Sequence, residues 1–237
     1  MHIVKKLVTL LLLVTLINLA GISPVPAQVP GFFNPTEPGS ELYHRANRYF
    51  SYAEESRDLN DKRRAFRMSI PLFTEYLSKT PEAGQVEEAS YKLSMALLLT
   101  GDRNGAERGF SSIIQRFRTG EWVALAAYRL AAQLYNRQDW INAAPYFEVA
   151  SREAARDALA HKSIFYESRC LQMAGKTNRA IARLGDIVED TSNPYRDYAR
   201  LAMGELHARE GRHAVSYTHL RAHETVLDLV CRLLLEK

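Results

Sequence analysis

The sequence predicts an all-α fold, a right-handed α-solenoid of helix–turn–helix pairs, and three observations predict it. The first is internal repetition. Ala89, Tyr91, Leu93, Leu97, Ala106 and Phe110 return 37 residues later as Ala126, Tyr128, Leu130, Leu134, Ala143 and Phe147. A second shift gives Ser163, Phe165, Leu171, Ala180 and Leu184. Self-similarity at such a period is the signature of stacked supersecondary units. The second observation is what separates the apolar runs: Gly101-Asp102, Gln138-Asp139 and Gly175-Lys176-Thr177 each combine a helix stop with a residue suited to cap the next start. The third is composition. With 46% hydrophobic and 24% charged residues the chain is an ordinary folded one. In an array where each unit touches only its neighbours, length adds units instead of enlarging one core.

Residues 1–27 have the three parts of a secretory signal. Lys5 and Lys6 supply the charged start, Leu7 to Leu19 the short apolar run, and Val25-Pro26-Ala27 the small residues of a cleavage site. Gly21, Pro24 and Pro26 interrupt the run before the roughly 20 apolar residues that a spanning helix needs. The mature chain is therefore expected to start at Gln28, with no membrane span, in the periplasm or cell envelope. No Cys stands near the cleavage site to take a lipid. Residues 28–39, punctuated by Pro and Gly, read as a flexible leader.

From Ser40 to Arg57, Leu42, Ala46, Tyr49, Phe50 and Ala53 mark one apolar helical face. Asp58 to Asp61 is turn chemistry with a capping residue, and a helix over about 62–78 follows, carrying Ala65, Ile70, Phe73, Tyr76 and Leu77. Pro71 inside it requires either a kink or a start near Ser69, because an interior proline costs about 3 kcal/mol. Thr80-Pro81 closes the pair. Three in-phase pairs follow, with first helices over 84–99, 121–136 and 158–173 and second helices over 103–117, 140–154 and 177–190. A fifth pair opens near Pro194 with Ala199, Ala202, Met203 and Leu206 as its face and Gly211 as its turn.

Beyond that turn the sequence changes character. Val215 to Thr225 and Leu229 to Lys237 read as two fixed blocks of a transposase-inserted sequencing adapter, translated in one frame on either side of a barcode. Residues 214–237 are thus expected to be non-native, the native chain to continue differently after His213, and Met203 and Leu206 to lack a native partner helix. On this reading His219, His223 and Glu224, which mimic a zinc-binding helix, are spelled by an oligonucleotide, although the local pattern permits a helix. Setting both terminal segments aside removes Lys5, Lys6, Arg221, Arg232 and Lys237 along with Glu224, Asp228 and Glu236, and lowers the formal charge from +4 to +2. Such a near-neutral chain makes no electrostatic case for nucleic acid.

At these repeats the chain resembles the tetratricopeptide repeat (TPR) family, whose motif is a helix–turn–helix with Leu-Gly, then Ala-x3-Phe, then Pro. Leu93-Ser94 and Leu130-Ala131 match with Ser or Ala in place of Gly. Ala106-x3-Phe110 and Ala143-x3-Phe147 match fully, Ala180-x3-Leu184 nearly, and Ser69-x3-Phe73 with Pro81 repeats the pattern one period earlier. The chain departs in its period, 37 residues against the family's 34, and in lacking the motif's Trp. The small residue lets two helices approach and the large one fills the space beside the next pair.

Catalytic and metal chemistry fail on inventory, so the expectation is a non-enzyme with no cofactor and no metal. Only His44, His161, His207 and His213 remain in the native part, with His207, Glu210 and His213 a loose group at most. Cys170 lies on an apolar helix stripe and reads as a core thiol. No Gly-rich phosphate loop or G-x-S-x-G occurs. What the resemblance does imply is a concave surface lined by the first helices. It places Tyr91, Tyr128 and Phe165 there in register, or else in the core between repeats. Lys92, Arg129 and Tyr166 follow one residue on, and Met95, Tyr135, Asn136, Arg169 and Gln172 share the same broad face. Aromatic and Arg side chains there suit an extended peptide or a helix, which makes a protein or peptide the expected partner. Two other readings stay open: the repeat module of a larger enzyme or secretion component, and a glycan-binding module. Trp122 and Trp140 begin helices and are expected to pack the joins between pairs.

Overall fold

The computed structural model describes residues 40–79 and 85–221. The expected signal, leader and Thr80-Pro81 join, and residues 222–237 of the tail, lie outside them. The described residues form ten α-helices and no strand. In chain order these are α1 Ser40–Glu55, α2 Leu59–Lys79, α3 Val86–Thr100, α4 Arg103–Phe117, α5 Glu121–Asn136, α6 Trp140–Glu153, α7 Asp157–Met173, α8 Thr177–Glu189, α9 Arg196–Arg209 and α10 His213–Arg221. Each packs on its neighbours in the chain, and first helices also touch directly, α1 on α3 and α3 on α5. This is the α-solenoid of helix pairs that the period predicts.

The repeated small–large motif is the reason the pairs close. Ala106, Phe110, Ala143, Phe147, Ala180, Leu184, Ser69 and Phe73 are all essentially without solvent exposure. Ser94 and Gly109 show how near the helices come. A Cβ added at Gly109 would lie 2.2 Å from Ser94 Oγ and 3.0 Å from its Cβ, so only glycine fits that crossing of α3 and α4. Burial of each large apolar side chain contributes roughly 1.5–3 kcal/mol, distributed along the array and not gathered in one centre.

The turns follow the sequence with one exception. Asp102 Oδ1 accepts from the Gly105 amide at 2.8 Å and caps α4, Asp139 does the same for α6 from Asn142, and Asp58 accepts from the amides of Asn60 and Asp61. Gly101 and Gly175 close α3 and α7 with positive φ, 105° and 70°. At the intermediate turn the same register position holds Gln138, still left-handed at φ 63°, a conformation that disfavours a residue with a Cβ.

α2 runs unbroken through Pro71, and α6 likewise contains Pro145. These prolines are two periods apart, and both face outward. The carbonyls each leaves without an amide partner belong to Arg67 and Ile141, also exposed, where water can take the place of the missing N–H.

In the last pair the helix that the local pattern permits is present. α10 stands where no native partner helix was expected, and Met203 and Leu206 are buried. Ser216 supplies the small residue of the motif: it is buried, and its Oγ donates to the Gly204 carbonyl at 2.9 Å. At Ser216 the segment thus meets the small-residue half of the packing rule of the earlier pairs.

Candidate functional site

The first helices α3, α5, α7 and α9 all carry tyrosines and cations, and α5 and α7 bring several of them together. On α5, Tyr128 and Tyr135 stand two turns apart, and Tyr166 comes from α7 of the next pair. With Ala132, Asn136 and Phe147 they line a cleft of about 110 Å³. The rings brace one another: Tyr135 meets Tyr166 edge-on at 5.2 Å and Trp140 at 4.8 Å, while Tyr166 stacks on Phe147 at 5.5 Å. Such ring pairs add about 0.5–1.5 kcal/mol beyond area burial, so the cleft walls are held in place by the joins between pairs. Of the predicted residues, Tyr128, Tyr135, Asn136 and Tyr166 are thus brought together.

The others lie on the same first helices. Tyr91 is buried, its ring against Phe110 and Trp122, and only its hydroxyl reaches Arg129, whose Nε donates to it at 3.4 Å. Phe165 is half-buried and stacks on Tyr195 at 4.4 Å. Lys92 turns back toward α1, where its Nζ donates to Asn47 Oδ1 at 2.8 Å, and it pairs with Glu88. Arg129 and Asn136 are exposed, whereas Gln172 and Arg169 are half-buried. Arg169 Nη1 donates to the Tyr198 hydroxyl at 2.8 Å, with the guanidinium 5.7 Å from that ring's centre. Met95 is buried.

Three residues of this region escaped the sequence reading. Lys162 lies 5.3 Å over the Tyr128 ring, and the neighbouring Tyr128 hydroxyl holds its ammonium above the ordinary lysine range. Its signal was its place one turn before Tyr166. Phe147, marked as core by the Ala-x3-Phe motif, nonetheless forms the floor of the cleft. Glu167 occupies the register position of Leu93 and Leu130, yet it is fully buried and accepts from Arg183 Nη2 at 2.7 Å and Nε at 2.9 Å. Burial pushes its carboxyl upward and Arg183 opposes this. Arg183 in turn stands at the register position of Gly109, so a charged pair replaces an apolar helix contact.

Cys170 is buried, and desolvation pushes its thiol up to about 12, which leaves no nucleophile at neutral pH. Among the described residues no group of three or more His, Cys, Asp or Glu side chains is placed to hold a metal ion, and no helix is long and apolar enough to cross a membrane.

Fold and side chains together define a TPR-like α-solenoid with an aromatic and basic first-helix face. The chain is similar to solved structures of MamA. One from strain AMB-1 superposes with a TM-score of 0.56 at 14% identity, covering 82% of this chain and 98% of that one. Residues 41 to the end of MamA from Desulfovibrio magneticus RS-1 give 0.50 at 17% identity over 75% and 92%, and an RS-1 double mutant gives 0.51 at 16% over 75% and 91%. At such identities the likeness concerns the fold. Neither a protein-family model nor a curated protein matches the sequence.

Proposed function

We propose that this chain is a non-catalytic interaction scaffold that binds a peptide or helix of another protein along its first-helix face. The observation that carries the reading is the cleft between α5 and α7. It is bounded by Tyr128, Tyr135 and Tyr166, with the Asn136 amide at its edge and Arg129 and Arg169 on the same face. Braced aromatic rings beside guanidiniums are the side chains that dominate binding energy at protein interfaces. A cleft of about 110 Å³ suits one anchoring side chain, not a buried small-molecule substrate, for which pockets run to roughly 300–1,000 Å³. The signal-like residues 1–27 support export to the periplasm or cell envelope as the setting.

Panning a random peptide display library on the full chain tests the reading. Enriched peptides are expected to lose binding to an Arg129→Glu, Asn136→Lys variant and to keep it with Arg108→Glu on the exposed side of α4. A library without enrichment, or peptides indifferent to both variants, would remove the groove.

A further inference from the structure

The cations of the first-helix face have an unusual set of partners. Arg129 reaches the hydroxyl of Tyr91, Lys162 lies over the ring of Tyr128, and Arg169 bonds the hydroxyl of Tyr198. None of the three pairs with a carboxylate among the described residues. Four other guanidiniums of the same pairs do find acids: Arg137 with Glu107, Arg156 with Glu121, Arg179 with Glu148, and Arg183 with Glu167 and Asp186. A tyrosine orients a cation and leaves its charge in place, so no ion pair among the described residues neutralises these three charges. Glu88 is already committed to Lys92, and Glu205 on α9 is the exposed acid nearest this face in register.

We infer that the groove's partner is an acidic peptide segment, with one apolar side chain seated in the tyrosine cleft and carboxylates on either side of it reaching Arg129 and Lys162. This deepens, and rests on, the groove reading above. Lys162 and Arg169 are held over tyrosine rings and Arg129 by a tyrosine hydroxyl, so less side-chain entropy is lost when a carboxylate arrives. Because the charges are uncompensated in the free protein, association gains from steering and weakens with salt. The cleft holds an aliphatic or small ring side chain, and the tyrosine walls favour apolar over charged contents.

The test uses the peptides enriched from the random display library, resynthesised with a fluorophore. They are expected to carry an excess of Asp and Glu around one apolar residue. Replacing their carboxylates by Asn and Gln, or making Arg129→Gln and Lys162→Gln together in the protein, is expected to weaken binding by roughly tenfold, as two partly exposed ion pairs would. Arg137→Gln, whose partner Glu107 lies away from the groove, is expected to leave binding unchanged. Circular dichroism of the variants should match the parent, since Arg129 and Lys162 are exposed. Groove-dependent peptides with no acidic excess, or with affinity unchanged by the neutral substitutions, would overturn the acidic class and leave the groove standing. A mixed-sequence single-stranded oligonucleotide that outcompetes the peptides at equal salt would overturn it in favour of a phosphate backbone. No enrichment at all would remove the groove and this inference together.

Discussion

Gly109→Ala puts the close approach of α3 and α4 to a direct test. The substitution brings two opposed effects. Alanine is the better helix former by about 1 kcal/mol, and in an open site it would stabilise the chain. Here the new Cβ would stand 2.2 Å from Ser94 Oγ and 3.0 Å from Ser94 Cβ. Rotating the hydroxyl away breaks its 2.8 Å bond to the Ser90 carbonyl and still leaves the Cβ contact too short. Overpacking of this kind costs about 1–3 kcal/mol and the broken hydroxyl bond about 1 kcal/mol more, so after the helix-propensity gain the net loss is expected at about 1–3 kcal/mol, a fall of roughly 2–12 °C in the melting midpoint for an array of this size. Ser94→Gly removes both offending atoms and leaves only its Cα, at 3.7 Å. The double variant Ser94→Gly, Gly109→Ala should therefore recover most of the parent's stability, with a coupling of about 1–3 kcal/mol in a double-mutant cycle. Urea and thermal unfolding of all four proteins read it out. A Gly109→Ala protein as stable as the parent, or a double variant no better than the single, would refute the packing argument.

Four further outcomes follow from particular residues. Gln133 has both amide atoms buried without a hydrogen-bond partner, at the register position held by Ala96 and Cys170, so Gln133→Met should raise stability by about 1–3 kcal/mol in urea titration. Gln138→Gly relieves a left-handed residue at the turn where Gly101 and Gly175 stand and should gain up to about 1 kcal/mol, after the added freedom of the unfolded chain is set against it. Arg183→Ala strands the buried Glu167 carboxylate and should cost about 3–5 kcal/mol, largely recovered by Glu167→Met with Arg183→Met. With a thiol pushed up to about 12, Cys170 should stay unmodified by iodoacetamide at pH 8 in the native chain and react fully in denaturant, as peptide mass spectrometry would show.

The architecture was legible because its cause is periodic. A small residue and a large one recur at a spacing that stacking alone explains, and the helix boundaries from α3 to α8 fall within two residues of those expected. Pro71 was harder, since its tolerance depends on which way the Arg67 carbonyl faces, and that is a matter of helix orientation. The Glu167–Arg183 pair was illegible for a related reason. A carboxylate in a leucine's register looks like a flaw in the repeat until the residue two turns into the next helix is seen to complete it. In the groove, the register placed Tyr91, Tyr128 and Phe165 alike, but their neighbours separate them: Trp122 covers Tyr91, while no indole stands over Tyr128. Identical spacing in a repeat specifies position; exposure is decided by what the adjacent pair happens to carry.

The cleft also has a mechanical meaning. Two of its walls, Tyr128 and Tyr135, ride on one pair and a third, Tyr166, on the next, so its width is the hinge angle between two units of the stack. Whatever fills it acts as a wedge across that joint, and by reciprocity any pull or bend that alters the pitch of the stack alters affinity by the same free energy. On the proposed function, binding in the cleft and bending of the stack are coupled in this way.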